Sequence, residues 1–284
     1  MTMTSAIEIT PLGGGTGASV RIEPACASTP QAARAIRDAL DRYHVLIFPE
    51  AHFSDQHLLD LSSVLGSLHA NDVTDDGTAP SGKGIYRIAL DKMDANQLDY
   101  VKGNDWWHMD GTSYDTPGKA TLLKCESAPA EGGDTGFANL HAAHAALPQD
   151  RRDQLESLRV SHCLAAVGRL IHAEPTAADF ARWNAVFPPR EHPLVWHQKD
   201  ANSVLLIGST ADHVVGMEAS QSRQLLDELL EWCTQDRFTY RHTWRAGDLV
   251  IFNNPALLHR SYPYPASAGR ILHRTTLRGE ETIA

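Results

Sequence analysis

The chain has 284 residues, a formal net charge of −10, 42% hydrophobic and 21% charged residues. This is the balance of one large globular domain, taken as 1–284, with enough apolar residues for a sizeable core. The acidic excess argues against general binding to nucleic acid or to a membrane surface, and no apolar run reaches the length of a membrane span.

Short strands are predicted at 7–10 and 18–22, around the Gly13-Gly14-Gly15 turn. Between Thr29 and Arg42, Ala33, Ile36, Ala39 and Leu40 recur at helical spacing. Val45-Leu46-Ile47-Phe48, closed by Pro49, reads as a buried strand, and Ser54 as the N-cap of a helix carrying Leu58, Leu59, Leu61 and Leu65. Residues about 70–104 are polar and turn-rich, and a long irregular segment in a compact domain is more often functional than idle. A strand follows at 120–125, then a loop at Gly132-Gly133 and a helical stretch from Leu140 to about Leu158. A second polar, proline-containing stretch covers about 172–193. Strands resume at 203–207, an amphipathic helix runs from Ser220 to Thr234, and strands at 239–244, 248–252 and 270–277 close the chain. With no repeat and no regular strand–helix alternation, the expected fold is mainly β with flanking helices. Cys26, Cys125, Cys163 and Cys233 form no C-x-x-C pair, and the start of the chain lacks a signal-peptide pattern. Both features fit a cytoplasmic protein.

Chemistry concentrates at Trp106-Trp107-His108-Met109-Asp110. In an extended segment residues i and i+2 share a face, so His108 and Asp110 can converge on one ion. A third ligand must come from elsewhere, and His259 follows the apolar strand Leu249-Val250-Ile251-Phe252. Two His and one carboxylate hold one face of an ion and leave three positions open, as a non-heme Fe(II) oxygenase needs for a chelating cosubstrate and O₂. H-x-D alone is a weak signal, equally a polar pair on a surface strand. Farther on, Arg270, Leu272, Arg274 and Thr276 share one face of a strand. That face is either solvated or buried against anions, which arginine forks grip in bidentate fashion. Trp106 reads as a core aromatic or a substrate contact. Tyr86 and His69 sit at the surface, pack, or reach a bound substrate.

The landmarks in order are Val45–Pro49, Asn104 with Trp107-His108-Met109-Asp110, Gly132-Gly133-Asp134-Thr135, His192-Pro193-Leu194-Val195, Trp244-Arg245-Ala246-Gly247-Asp248, and His259 followed by Arg270 and Arg274. Across nearly the whole chain they resemble the taurine dioxygenase-like family of Fe(II)/2-oxoglutarate oxygenases, which includes aryloxyalkanoate dioxygenases. The resemblance implies a double-stranded β-helix (jelly-roll) core, and His108, Asp110 and His259 as iron ligands and catalytic centre. It implies Thr135 and Arg270 at the distal carboxylate of 2-oxoglutarate, and Arg274 and Asn104 at a small anionic substrate. Trp106 and Tyr86 are further substrate candidates from their own positions, outside the resemblance. Fe(II), 2-oxoglutarate and O₂ would yield succinate, CO₂ and a hydroxylated product, followed by C–heteroatom cleavage where the hydroxyl adjoins O, N or S. A homo-oligomer, dimer or tetramer, is also implied. Separately, the stretches at about 70–104 and 172–193 are expected to be lids, because both are polar, turn-rich and flank the metal-site motifs. One departure is Phe252-Asn253-Asn254, where the family often has Trp-Asp-Asn. Two rival readings are a zinc-dependent hydrolase, which leaves Arg270, Arg274 and Thr135 unexplained, and a non-catalytic jelly-roll binding protein, whose usual sign is a broken ligand set.

Overall fold

The computed structural model describes residues 6–69, 84–91 and 101–284. Its strands begin with β1 (Glu8–Pro11), β2 (Ala18–Arg21), β3 (Val45–Phe48), β4 (Tyr86–Ile88), β5 (Ala120–Ser127) and β6 (Thr135–Asn139). They continue with β7 (Arg159–His162), β8 (Arg190–Pro193), β9 (Val195–His197), β10 (Ser203–Leu205) and β11 (Ala211–Val214). The last four are β12 (Thr239–His242), β13 (Leu249–Asn253), β14 (Leu257–Ser261) and β15 (Ile271–Leu277). Seven of them form one sheet in the order β1-β2-β3-β13-β5-β15-β4, antiparallel except for the β2–β3 pair. Facing it is the three-stranded sheet β12-β6-β14, extended by the smaller sheets β11-β7-β8 and β10-β9. This is the mainly β, jelly-roll architecture expected from the sequence.

The side-chain period of two decides which core each residue joins. Along β13, Val250 and Phe252 turn inward to meet Phe137 of β6 and Leu257 of β14, with the Phe137 and Phe252 rings 5.3 Å apart. Leu249 and Ile251 turn outward. There they meet Ile36 and Leu40 of α1 (Pro30–Tyr43) and Leu58 and Leu61 of α2 (Asp55–Leu65). β3 and β5 divide in the same way, which is why Val45–Phe48 has no polar residue: a central strand is buried on both faces. Each fully buried Leu or Phe contributes about 1.5–3 kcal/mol. Thr29 caps α1 by accepting from the Ala32 N–H, and Ser54 and His57 form a capping box on α2, so both helices start where predicted.

The structure corrects the sequence reading in two places. The helix expected from 140 to 158 is two helices, α3 (Leu140–Ala145) and α4 (Gln149–Leu155). Pro148 separates them, because a proline disfavours helical backbone in the residue before it. The polar stretch 172–193 carries regular secondary structure: α5 (Leu164–Ile171) leads into it, α6 (Ala177–Val186) fills its centre and β8 ends it. The start of α6 is a capping box between Thr176 and Asp179. Of the other expected lid, 70–83 and 92–100 lie outside the described residues, whereas 86–88 form the edge strand β4 against β15. α7 (Ala219–Cys233) packs on β11 and α3, close to its predicted span. All four cysteines are free, and no helix among the described residues is long and apolar enough to cross a membrane.

Candidate active site

β14 and the Trp106–Asp110 segment meet at one isolated antiparallel bridge, between His108 and His259. The two imidazole centroids lie 4.1 Å apart. Two residues on, Asp110 reaches back, with Oδ1 3.7 Å from His108 Nε2 and Oδ2 3.7 Å from His259 Nε2. These separations are too long for hydrogen bonds. The three ligand atoms nevertheless converge within 4.8 Å of one another. His108 Nδ1 donates to the Trp106 carbonyl at 2.7 Å, which fixes the tautomer and leaves the Nε2 lone pair toward Asp110. Burial, and then His108, push His259 down to about 3, so its ring is neutral. Burial raises the Asp110 carboxyl, but His259, Arg274 and His108 outweigh it and hold it below the usual carboxylate range. Two imidazoles and one carboxylate, aimed at one point, are a donor set that fits Fe(II).

From this triad a small cavity of about 60 Å³ leads to Thr135 and Arg270. Arg270 is only 5% exposed, and among the described residues it makes no ion pair and its Nε has no hydrogen-bond partner. Its guanidinium lies over the Tyr264 ring at 4.9 Å and donates to the Tyr264 hydroxyl at 3.3 Å. Gly133 makes this approach possible. At φ 67 it holds a left-handed backbone, and a Cβ there would stand 2.9 Å from Arg270 Cδ. Thr135 Oγ1 accepts from Trp244 Nε1 at 3.0 Å, so its own proton is left to donate. A buried, unpaired guanidinium beside a hydroxyl donor calls for an anion.

A second, much larger cavity of about 750 Å³ reaches the His108 and Asp110 side of the triad. His108, Asp110, Asn104 and Arg274 line both cavities. Val167 and Ile171 of α5, Trp183 and Val186 of α6, and Phe187 make its far wall apolar, and His69 also lines it. The face that the sequence assigned to Arg270, Leu272, Arg274 and Thr276 does line the two cavities. On the opposite face, His273 bonds Asp55 and Thr275 bonds Ser62 of α2.

Two expected substrate contacts are placed differently. Trp106 is 42% exposed and lines neither cavity, so its contribution is the carbonyl that holds His108. Trp106 stands at a bend before the extended segment, so the alternation that aims His108 and Asp110 the same way does not govern its indole. Tyr86 also lines neither cavity. On the edge strand opposite Arg274, it supports that guanidinium at 5.2 Å from its ring centroid. Sequence reasoning missed the α5–α6 wall, Trp244 behind Thr135, and Asn254, whose side chain bonds the backbone of Asp110. A Thr176-x-x-Asp179 spacing was the available sign of α6.

Residues 8–276 match the family described as taurine catabolism dioxygenase TauD, TfdA family. The chain is 36% identical over 204 residues, 70% of each protein, to the alpha-ketoglutarate-dependent 2,4-dichlorophenoxyacetate dioxygenase of Cupriavidus pinatubonensis. It is 29% identical over 286 residues to the alpha-ketoglutarate-dependent sulfate ester dioxygenase of Pseudomonas putida, covering 98% of this chain and 91% of that one. The crystal structure of AAD-2 in complex with Mn(II) and N-oxalylglycine matches with a TM-score of 0.81 at 26% identity, covering 98% of this chain and 100% of the other. With the fold, the converging triad and these matches in agreement, the chain belongs to the TauD/TfdA dioxygenase family.

Proposed function

We propose that this chain is an Fe(II)- and 2-oxoglutarate-dependent dioxygenase that hydroxylates a C–H bond of a small anionic organic substrate. Succinate and CO₂ are released, and a C–heteroatom bond breaks where the new hydroxyl adjoins O, N or S. The observation that carries this reading is the placement of the triad between two cavities, one ending at a buried arginine and the other walled by apolar side chains. The relatives' names point the same way, since a dichlorophenoxyacetate and a sulfate ester each join an anionic group to an apolar body.

In this reading His108, Asp110 and His259 would hold Fe(II), which with 2-oxoglutarate and O₂ supplies the oxidising power. Arg270 and Thr135 would grip the distal carboxylate of the cosubstrate, with Trp244 keeping the Thr135 hydroxyl turned to donate. Arg274, supported by Tyr86, would hold the acid group of the substrate, and Asn104 would line its path. The apolar walls of α5 and α6 exclude water from the reacting C–H bond. A zinc hydrolase leaves the Arg270–Thr135 cavity without an occupant, and a non-catalytic binding protein would be expected to carry a broken ligand set, whereas His108, Asp110 and His259 converge intact. The reading is completed by a cytoplasmic homo-oligomer, dimer or tetramer, with no nucleic-acid or membrane partner.

The test is a substrate panel of aryloxyalkanoates, alkyl sulfates and aliphatic sulfonates, incubated with Fe(II), ascorbate and 2-oxoglutarate. Succinate formed in step with an oxidised product supports the reading. Zinc-supported ester hydrolysis without succinate would overturn it.

A further inference from the structure

Among the described residues, no strand pairs with the backbone of Asp110. In the antiparallel register that pairs His108 with His259, Asp110 would fall opposite Leu257. Leu257 is the first residue of β14 and follows the short helical turn Asn254–Ala256. The Asp110 peptide groups instead go to the side chain of Asn254. Asn254 Oδ1 accepts from the Asp110 N–H at 2.9 Å, and Nδ2 donates to the Asp110 carbonyl at 2.9 Å and to the Gly118 carbonyl at 2.9 Å. The orientation of the carboxamide is forced, because an N–H requires the oxygen and two carbonyls require the NH₂ group. Both amide protons and the oxygen are used, in a residue 1% exposed.

The carboxamide thus stands in for the next residue of a ladder that has run out. Immediately after Asp110 the chain turns away at Gly111, whose φ of 81 lies in the left-handed region. Asp110 therefore stands at the start of a sharp turn, and the direction of its carboxylate follows from the backbone that Asn254 holds. The turn carrying Asn254 is itself tied down: its N–H donates to the Lys119 carbonyl at 3.1 Å, and Gln198 Nε2 donates to the Pro255 carbonyl at 3.0 Å.

On the reading of His108, Asp110 and His259 as metal ligands, we infer that Asn254 is a positioning residue for the metal site. It aims the Asp110 carboxylate and so sets the affinity for a divalent cation. It touches neither metal nor substrate and acts only through Asp110.

The experiment titrates Mn(II) alone into the apo-protein by calorimetry for wild type, Asn254→Ala, Asn254→Asp and Asn254→Ser, with His259→Ala as control. Asn254→Asp keeps the volume but sets carboxylate oxygen against two carbonyls. Asn254→Ser is the mildest change and decides the matter if the others do not melt cooperatively. Loss of a group that orients a ligand typically costs about 10- to 100-fold in metal affinity. We expect a loss in that range for Asn254→Ala and Asn254→Asp, a smaller one for Asn254→Ser, and in each a reduced thermal shift at fixed Mn(II). A folded variant whose Mn(II) affinity stays within about twofold of wild type overturns the inference, even if its apo melting temperature falls, since Asn254 then serves stability alone. The control separates the two levels. If His259→Ala also binds like wild type, the ligand assignment fails; if only His259→Ala weakens, the role of Asn254 alone is refuted.

Discussion

His108 and His259 exchange both backbone hydrogen bonds, at 3.0 and 2.8 Å, so the main chain rather than side-chain packing sets the spacing of their imidazoles. Alanine can make the same two bonds. His108→Ala, Asp110→Ala and His259→Ala should therefore leave a folded protein whose apo melting temperature moves by no more than about 2–4 °C. Each should lose divalent-metal binding and turnover, because each removes one of three ligands. Wild-type metal affinity in any of them would take that residue out of the ligand set.

Arg270→Ala should raise the Michaelis constant for 2-oxoglutarate strongly. A desolvated charged pair that loses one partner costs about 2–5 kcal/mol, or roughly 30- to several-thousand-fold in affinity. Arg270→Lys should recover only part of this, since an ammonium lacks the planar fork. Thr135→Val should cost less, about 1.5–3 kcal/mol for one hydrogen bond to a charged group. A 2-oxoglutarate dependence unchanged by Arg270→Ala would place the cosubstrate clamp elsewhere.

The central sheet was legible in the sequence because its strands obey short-range rules. Val45–Phe48 and Leu249–Phe252 are unbroken apolar runs, and Ser54 announces its helix through a side-chain cap. His108 and Asp110 were legible because i and i+2 share a face wherever a segment is extended. The places where the reading fell short depend on contacts distant in sequence. No local pattern says that Trp106 points to solvent while Trp107, beside it, packs against Gly136. The Asn254 clamp joins positions 144 residues apart, and the donation from Trp244 to Thr135 spans 109. The α5 and α6 helices were hidden by the polar, proline-containing composition around them, although Thr176 and Asp179 held the spacing of a cap.

On the outer face of the main sheet, Lys124 is 4% exposed and contacts both Asp55, at 2.5 Å, and Glu126. Asp55 also accepts from His273 Nδ1 at 2.8 Å. Partial burial raises its carboxyl, but the bonds from Lys124 and His273 outweigh this and hold it below the ordinary value. A depressed folded pKa adds stability that is present above the unfolded value, about 3.9, and is lost as pH falls through the folded one. Asp55→Asn should accordingly lower the urea midpoint at pH 5–7, and the difference from wild type should shrink as pH falls below about 4. A difference that stays constant down to pH 2.5 would show that the ionised carboxylate contributes nothing.

Cys163, Ala165, Ala166 and Trp183 form a small cluster of their own beneath α5 and α6, with Leu164 and Phe180 packed against it. A unit with so few buried contacts opens at low cost. Amides of 164–187 should exchange faster than those of β5 and β13 in the apo-protein, and slow when Mn(II), N-oxalylglycine and a bound substrate fill the cavities. Exchange equally slow with and without these ligands would refute a lid over the large cavity.

Arg274 separates the two arginines by role. Arg270 ends the small cavity, whereas Arg274 lines both and rests on Tyr86 of the edge strand. Arg274→Ala should therefore weaken the prime substrate, by about 2–5 kcal/mol if its acid group is desolvated, and leave 2-oxoglutarate affinity nearly intact. Turnover should also uncouple, with succinate formed in excess of oxidised product, because a loosely held C–H bond no longer sits where the oxidant forms. Tyr86→Ala should act in the same direction but more weakly, losing a cation–π contact of about 0.5–2 kcal/mol. A neutral analogue of the substrate should lose little further in Arg274→Ala, since the missing charge and the missing guanidinium are one interaction. If Arg274→Ala binds the anionic substrate normally and weakens only 2-oxoglutarate, both arginines belong to the cosubstrate. The substrate's charge would then have to be met by another residue of the large cavity.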